Sequence, residues 1–377
     1  MDTHSVTGDW KLYPSYEGTP HSFSYSPVSG NRHKVSCSGC SFTAEEAHSF
    51  SHGICLCGRE ENPEPIETHE VILRHSLNLA SDISVNYLIP ETSLSNYDME
   101  TVYLSCRIPV YEGNALKGER EIKLFPALRD GICYFVLEGM TAVQMNDKIT
   151  AVFHGVADGQ PYYTGADVYS VGDYAYSQLN KPAVDGALKT LCADLLRYGA
   201  KAQIFKSYRT DNLVDGAMTE EHRAYMSDIE GVTFGNTNRE LNDCPDAPII
   251  WAGKSLNLES KVALKFVFRL GSYTGEISDL CLRISYEDMH GVQKTRELTA
   301  AAPYGQGTGA YVFTVDSLLA AELRAVVSVQ IFADDTPVSP TLQYSADTYG
   351  NNKTGVLLDL CKALFAYSDS AKAYFAK

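Results

Sequence analysis

The chain of 377 residues is 44% hydrophobic and 11% aromatic, enough to bury the cores of two or three domains. A formal charge of −16, with no basic stripe against it, argues against a nucleic-acid-binding protein, because such binding is driven by basic residues that displace counterions from phosphate. No apolar run approaches the roughly 18–20 residues of a membrane helix, so no membrane insertion is expected.

The first residues, MDTHSVTGDW, lack the charged and apolar regions of a signal peptide. Either the chain is cytoplasmic, or Met1 stands where a leader has been removed. The opening stretch of about 60 residues is poor in aliphatic side chains and carries Cys37-x-x-Cys40 and then Cys55-x-Cys57, with His4, His21, His33, His48 and His52 around them. A CxxC pair presents two thiolates to one ion at about 2.3 Å, and four such ligands close a tetrahedral structural zinc site. A module this small needs a staple to fold. The expected zinc ligands are Cys37 and Cys40 with two more from Cys55, Cys57, His48 and His33. Because CxC is tighter than the usual knuckle, His48 or His52 can replace one of the second pair, and the four cysteines and five histidines could even serve two ions. The alternative is a pair of disulfides in an oxidising compartment. Catalytic zinc is not expected: HExxH is absent, and His69-Glu70 is followed by His75 at the wrong spacing.

Residues 59–65, acidic and Pro-containing, read as a linker. From Val71 onward apolar residues alternate, as at Val102, Leu104, Cys106 and Ile108, then Ile122 and Leu124, the pattern of half-buried strands. Short helical inserts are predicted at 140–146 and 316–324. Leu188, Leu191, Cys192 and Leu195 fall at i, i+3, i+4 and i+7, one face of a helix. A short helix follows at 219–228 with Thr219 as N-cap, and 231–248 reads as a connector.

The chain is also self-similar, which predicts its architecture. Ser76-Leu77-Asn78-Leu79 recurs as Ser255-Leu256-Asn257-Leu258, Arg107-Ile108 as Arg283-Ile284, and Tyr169-Ser170 as Tyr344-Ser345. Leu188, Leu191, Cys192 and Leu195 recur as Leu357, Leu360, Cys361 and Leu364. The fold class expected is therefore mainly β with helices: a zinc-ribbon-like module over 1–64, then two duplicated β-sandwich units over 69–230 and 231–377, each closed by an amphipathic helix.

Catalytic signatures are missing, with no GxSxG elbow, Walker loop or GxGxxG. Cys192 and Cys361 occupy equivalent buried positions and read as core residues, as does Cys106, which matches Leu282. His222 reads as a surface or capping residue. No pair of carboxylates stands out. Exposed Tyr side chains are what sugar-binding sandwiches stack on their ligands. Tyr169 and Tyr174 recur in the second copy and are assigned to structure, whereas Tyr162 and Tyr163 do not recur and are the candidate ligand-binding residues.

At His4, Trp10, Cys37, Cys40, His48 and Cys57-Gly58, and at the SLNLAS-like starts and TLCADLLRYG-like helices, the chain resembles modular surface proteins of anaerobic Gram-positive gut bacteria. The CxC at Cys55 and Cys57 departs from the CxxCG of that pattern. The resemblance implies a secreted or cell-surface location without an assigned activity. The leading expectation is a non-catalytic module binding host or cell-wall glycans or proteins. The alternatives are a structural spacer and a hydrolase with an unrecognised site. A site present in one copy only would favour binding or catalysis, and two equally bland copies would favour the spacer.

Overall fold

The structure, a computed structural model, describes residues 3–6, 9–12, 22–28, 32–61, 63–79, 83–258, 262–316 and 318–377. His21 lies outside these residues, and of His4 and Trp10 only the backbone is described. The chain is mainly β, with several sheets and a few helices. Among the described residues no helix is long and apolar enough to cross a membrane.

The N-terminal module holds strands β1 (Thr3–Val6) and β2 (Asp9–Leu12), which pair with each other, and an antiparallel sheet of β3 (Phe23–Pro27), β4 (Arg32–Cys37) and β5 (Thr43–Ala47). A hairpin of β6 (Phe50–Ser51) and β7 (Ile54–Cys55) completes it. Strand β4 shows why this sheet has an inside: His33, Val35 and Cys37 are buried while Arg32 and Lys34 between them are exposed. The β6–β7 turn places His52 at φ 56° and Gly53 at φ 79°, the two left-handed residues that a two-residue hairpin turn demands.

The next ten strands are β8 (Ile66–Thr68), β9 (Arg74–Asn78), β10 (Ser84–Pro90), β11 (Tyr97–Glu112), β12 (Ala115–Leu124), β13 (Ala127–Arg129), β14 (Ile132–Leu137), β15 (Ile149–Ala157), β16 (Gln160–Thr164) and β17 (Asp167–Tyr169). They form a sheet of order β13-β14-β10-β9 and another of order β12-β11-β15-β16-β8, with β17 also on β15. Helices α1 (Val171–Asn180), α2 (Gly186–Lys206) and α3 (Glu220–Arg223) follow. The second half has β18 (Asn238–Glu240), β19 (Ile250–Asn257), β20 (Ala263–Arg269), β21 (Leu280–Glu287), β22 (Gln293–Leu298), β23 (Ala302–Tyr304), β24 (Ala310–Val315), β25 (Val326–Ala333), β26 (Thr336–Pro337), β27 (Leu342–Ser345) and α4 (Gly355–Phe375). Its sheets run β23-β24-β20-β19 and β22-β21-β25-β27-β18, with β26 on β25. The short inserts are 3-10 turns at Ala142–Gln144 and Ala320–Glu322, inside the predicted ranges. Thr219 caps α3 as its side chain accepts from His222 N.

Two features differ from the sequence reading. The first concerns the linker: Ile54 bridges Glu60, so Arg59 and Glu60 belong to the module, and β8 adds to the first half's sheet by pairing in parallel with β16. Glu61 N also bonds back to Gly53 O, and Glu64 O accepts from Gln160 of β16. The second concerns the closing helices. A helix that merely capped its own sheets would bury one face, but Leu191 to Ala200 of α2 are all buried. The second face packs on α4, where the Tyr198 and Tyr367 rings stack at 5.8 Å. Gly199 allows the third approach, since a Cβ there would lie 2.6 Å from Met145 Sδ. One apolar cluster consequently runs from Val71 to Ala371 through both halves.

At the helix pair, Asp194 is fully buried. It accepts from Arg197 Nη2 at 2.5 Å, Ser227 N at 3.0 Å, Ser227 Oγ at 2.6 Å and Ser370 Oγ of α4. Replacing Asp194 by Ala leaves the Arg197 guanidinium buried without its counter-charge and should destabilise the chain by about 3–5 kcal/mol. Leu191→Ala should cost about 2–5 kcal/mol through the cavity it opens. Because the core is shared, denaturant titration should show both halves unfolding in one transition; two separated transitions would contradict the shared core.

Candidate metal centre

Four side chains from separate parts of the module converge. His33 projects from the buried face of β4 and is 4% exposed; His48 sits between β5 and β6; Cys55 ends β7 and is 2% exposed. Cys57 lies in the turn that follows, which Gly58 closes at φ 87° by donating its N–H to Cys55 O at 2.8 Å. The ligand atoms of His33, His48, Cys55 and Cys57 all lie within 4.8 Å of one another. His48 Nδ1 is 3.4 Å from Cys55 Sγ and 3.5 Å from Cys57 Sγ, and His33 Nδ1 is 3.3 Å from Cys55 Sγ. For metal–sulfur and metal–nitrogen bonds of about 2.3 and 2.05 Å, the N···S edge of a tetrahedron is about 3.6 Å. The observed edges match that figure.

The surroundings suit an ion as well. His33 is engaged on the Cys55 side through Nδ1, while its Nε2 is buried with no hydrogen-bond partner among the described residues. Burial, with Arg59 and His33 nearby, lowers the His48 pKa and favours the neutral imidazole that can ligate. Burial raises the Cys57 thiol, so in the absence of a cation it holds its proton; a bound cation reverses that preference. An ion bound by all four residues would have a filled tetrahedron with no open position.

The ligand set differs from the one that CxxC spacing suggests. Cys37 shares the buried face of β4 with His33 but lies four residues further along an extended strand, about 13 Å away. The two cannot reach one ion while β4 stays extended. Cys37 and Cys40 are therefore outside the converging group, as is His52, exposed in the β6–β7 turn with its Nδ1 3.2 Å from Ser51 Oγ. Cys40, Cys55 and Cys57 are thiols and form no disulfide. Sequence reading also missed Arg59, whose Nη1 lies 3.3 Å from His48 Nε2. In the letters it belonged to an acidic linker.

Three of the single cysteines are built into the core. Burial pushes the Cys106 and Cys192 thiols up to about 12 and Cys361 to about 11, too high for a thiolate nucleophile. His222 caps α3 and meets Asn180 Oδ1 at 3.1 Å. His75 pairs with Asp167 at 2.7 Å and stacks on Tyr169 at 3.9 Å.

The two tyrosine candidates separate. As neighbours on β16 they point to opposite faces. Tyr162 packs edge-on against Tyr97, which in turn meets the fully buried Phe153. Tyr163 lies on the solvent side, opposite His154. The same face carries Tyr103, stacked on His154 at 4.8 Å, and Phe125, 6.5 Å from Tyr103. These three were not singled out from sequence, because alternation places each residue on a face but does not tell which strands are neighbours.

Cys55→Ser and His33→Ala should each weaken metal affinity beyond the ~10–100-fold that outer partners of metal ligands typically carry, whereas Cys37→Ser and Cys40→Ser should leave stoichiometry unchanged. Metal titration against a chromogenic chelator measures this, and loss of the ion in Cys37→Ser would return the site to the CxxC pair. No protein-family model and no curated protein matches the chain, so the chemistry of the site is read from its geometry.

Proposed function

We propose that the chain is a non-catalytic module of the cell surface that binds glycans on the solvent face of its first β unit, with a structural zinc stapling the N-terminal segment. A set of two thiolates and two imidazoles in a closed tetrahedron suits zinc best among common ions. The matching order of the four-stranded sheets, and of β12-β11-β15 with β22-β21-β25, supports duplicated sandwich units, 76–204 superposing on 255–375.

The observation that carries the binding reading is a difference between the halves. Across β12, β11, β15, β16 and β8 the solvent face presents a row of Phe125, Tyr103, His154, Tyr163 and Glu67, with Phe125 just past the end of β12. Phe125 is 67% exposed, and the Lys123 ammonium lies 4.5 Å from the centre of the Tyr103 ring. The four rings span three inter-strand spacings, about 14 Å. Across β22, β21, β25, β27 and β18 the second half presents a row of Thr295, Ser285, Ser328, Gln343 and Arg239, and its one ring on β25, Phe332, is covered by the Arg283 guanidinium 4.1 Å from the ring centre. There Arg239 Nε donates to Gln343 Oε1 at 2.8 Å and Gln343 Nε2 to Ser328 Oγ at 3.2 Å, a polar surface satisfied by itself. Rings with polar neighbours fit a ligand that offers both apolar C–H faces and hydroxyls, which describes a sugar chain. Burial, with Lys123 nearby, lowers the His154 pKa and favours its neutral form, free of charge repulsion toward a neutral glycan.

The test is a glycan array probed with the full chain, followed by titration of the best oligosaccharide. Phe125→Ala and Tyr163→Ala should each weaken binding roughly 2- to 10-fold, from ~0.5–1.5 kcal/mol per ring contact. Ser285→Ala, on the second unit, should have no effect. Absence of any glycan signal would favour the spacer reading.

A further inference from the structure

Arg59 touches both the metal cluster and the first β unit. Its backbone belongs to the turn that carries the thiols, since Cys55 N donates to Arg59 O at 2.8 Å and Glu61 N to Gly53 O at 2.8 Å. Its Nη1 meets His48 Nε2 at 3.3 Å, on the ring edge opposite the nitrogen that faces the two sulfurs. The same guanidinium lies over the hairpin turn between β15 and β16. A Cβ built on Gly159 would fall 1.2 Å from Arg59 Nη2 and 1.8 Å from Cζ, so the guanidinium fills the space a side chain would take there. Asp158 at φ 48° and Gly159 at φ 77° are the left-handed pair of a two-residue turn. Beyond Arg59 the chain stays on the same strand: Gln160 Nε2 donates to Glu64 O at 2.7 Å, and β8 pairs in parallel with β16.

We infer that Arg59 is a clamp which docks the N-terminal module on the β15–β16 turn and makes that docking depend on the metal. The inference rests on the metal-site reading above. The ion would hold the Cys55–Cys57 turn in one arrangement, and that turn fixes the backbone from which Arg59 projects, through the bond from Cys55 N to Arg59 O. Without the ion the turn loosens, and the guanidinium is no longer held over Gly159. Arg59 is thus the contact that orients the module on the first β unit. A Cβ at position 159 would have to displace the guanidinium from this place.

The experiment is limited proteolysis of the full chain, zinc-loaded and chelated, with the cut sites read by mass spectrometry and zinc content measured in parallel. Asn tolerates the left-handed backbone of position 159, so Gly159→Asn adds a side chain where the guanidinium lies without changing any residue of the metal module. Loaded wild type should resist cleavage at residues 61–65. Chelated wild type and loaded Gly159→Asn should be cut there at least ~10-fold faster, the scale on which contacts around metal ligands act, and Arg59→Ala should behave like Gly159→Asn. Retained zinc in Gly159→Asn would place the effect in docking, and loss of zinc from that variant would also support the coupling, since residue 159 lies on the other unit. Equal cleavage in wild type and both variants, with zinc bound in all three, overturns the clamp and leaves the metal site intact. A wild-type chain that binds no zinc overturns the metal site and the clamp together.

Discussion

The carboxylate of Asp194, fully buried where α2 meets α4, is the contact through which the two halves of this protein are held in one arrangement. A buried charge is tolerated only when paired and hydrogen-bonded. Here the partners come from three places: Arg197 on the same helix, Ser227 in the segment after α3, and Ser370 on α4. Arg197 in turn donates from Nη1 to Ser227 O at 2.7 Å. Satisfying this one carboxylate therefore fixes the helix pair, the connector and the second half together. The Tyr367 hydroxyl, which donates to Leu79 O at 3.2 Å, ties α4 to the first half as well.

The N-terminal module stands under the opposite constraint. Its strands are short, and among its described residues the buried hydrophobics are Val35, Cys37 and Cys55. Such a module cannot offset its conformational entropy by burial alone. An ion held by the two imidazoles and two thiols, as proposed, would supply what burial lacks, because metal binding to a site that exists only when folded is itself folding free energy. The cluster brings together β4, the β5–β6 connection and the turn after β7.

Between the two β units the pattern of pairing is kept while the solvent faces diverge. Inward positions stay apolar in both, as with Leu104 and Cys106 against Leu282 and Ile284, since burial on that side is what makes the sheets stable. The outward side is free of this demand. One unit uses it for rings around Tyr103 and His154, the other for a polar row around Ser328 and Gln343 beside Phe332, which the Arg283 guanidinium covers. A surface that differs while its scaffold does not is where function is expected to lie.

The residue pattern by itself determined the strands, the two long helices and their recurrence, because period-two and period-3.6 burial are local properties written along the chain. It also determined that a cysteine- and histidine-rich segment precedes the β units, and it named His33, His48, Cys55 and Cys57 among the candidate ligands. What only the tertiary structure decided was which of those candidates meet. Spacing favours Cys37 and Cys40 because it measures distance along the chain, but extended β4 carries Cys37 away from His33 and the return of the chain through β7 brings Cys55 back. The same reason hid the Arg59 contact with Gly159, the aromatic row across β12, β11, β15 and β16, and the burial of α2 on all sides. Each depends on which segments become neighbours, and that is set by sheet register and by the packing of α2 on α4.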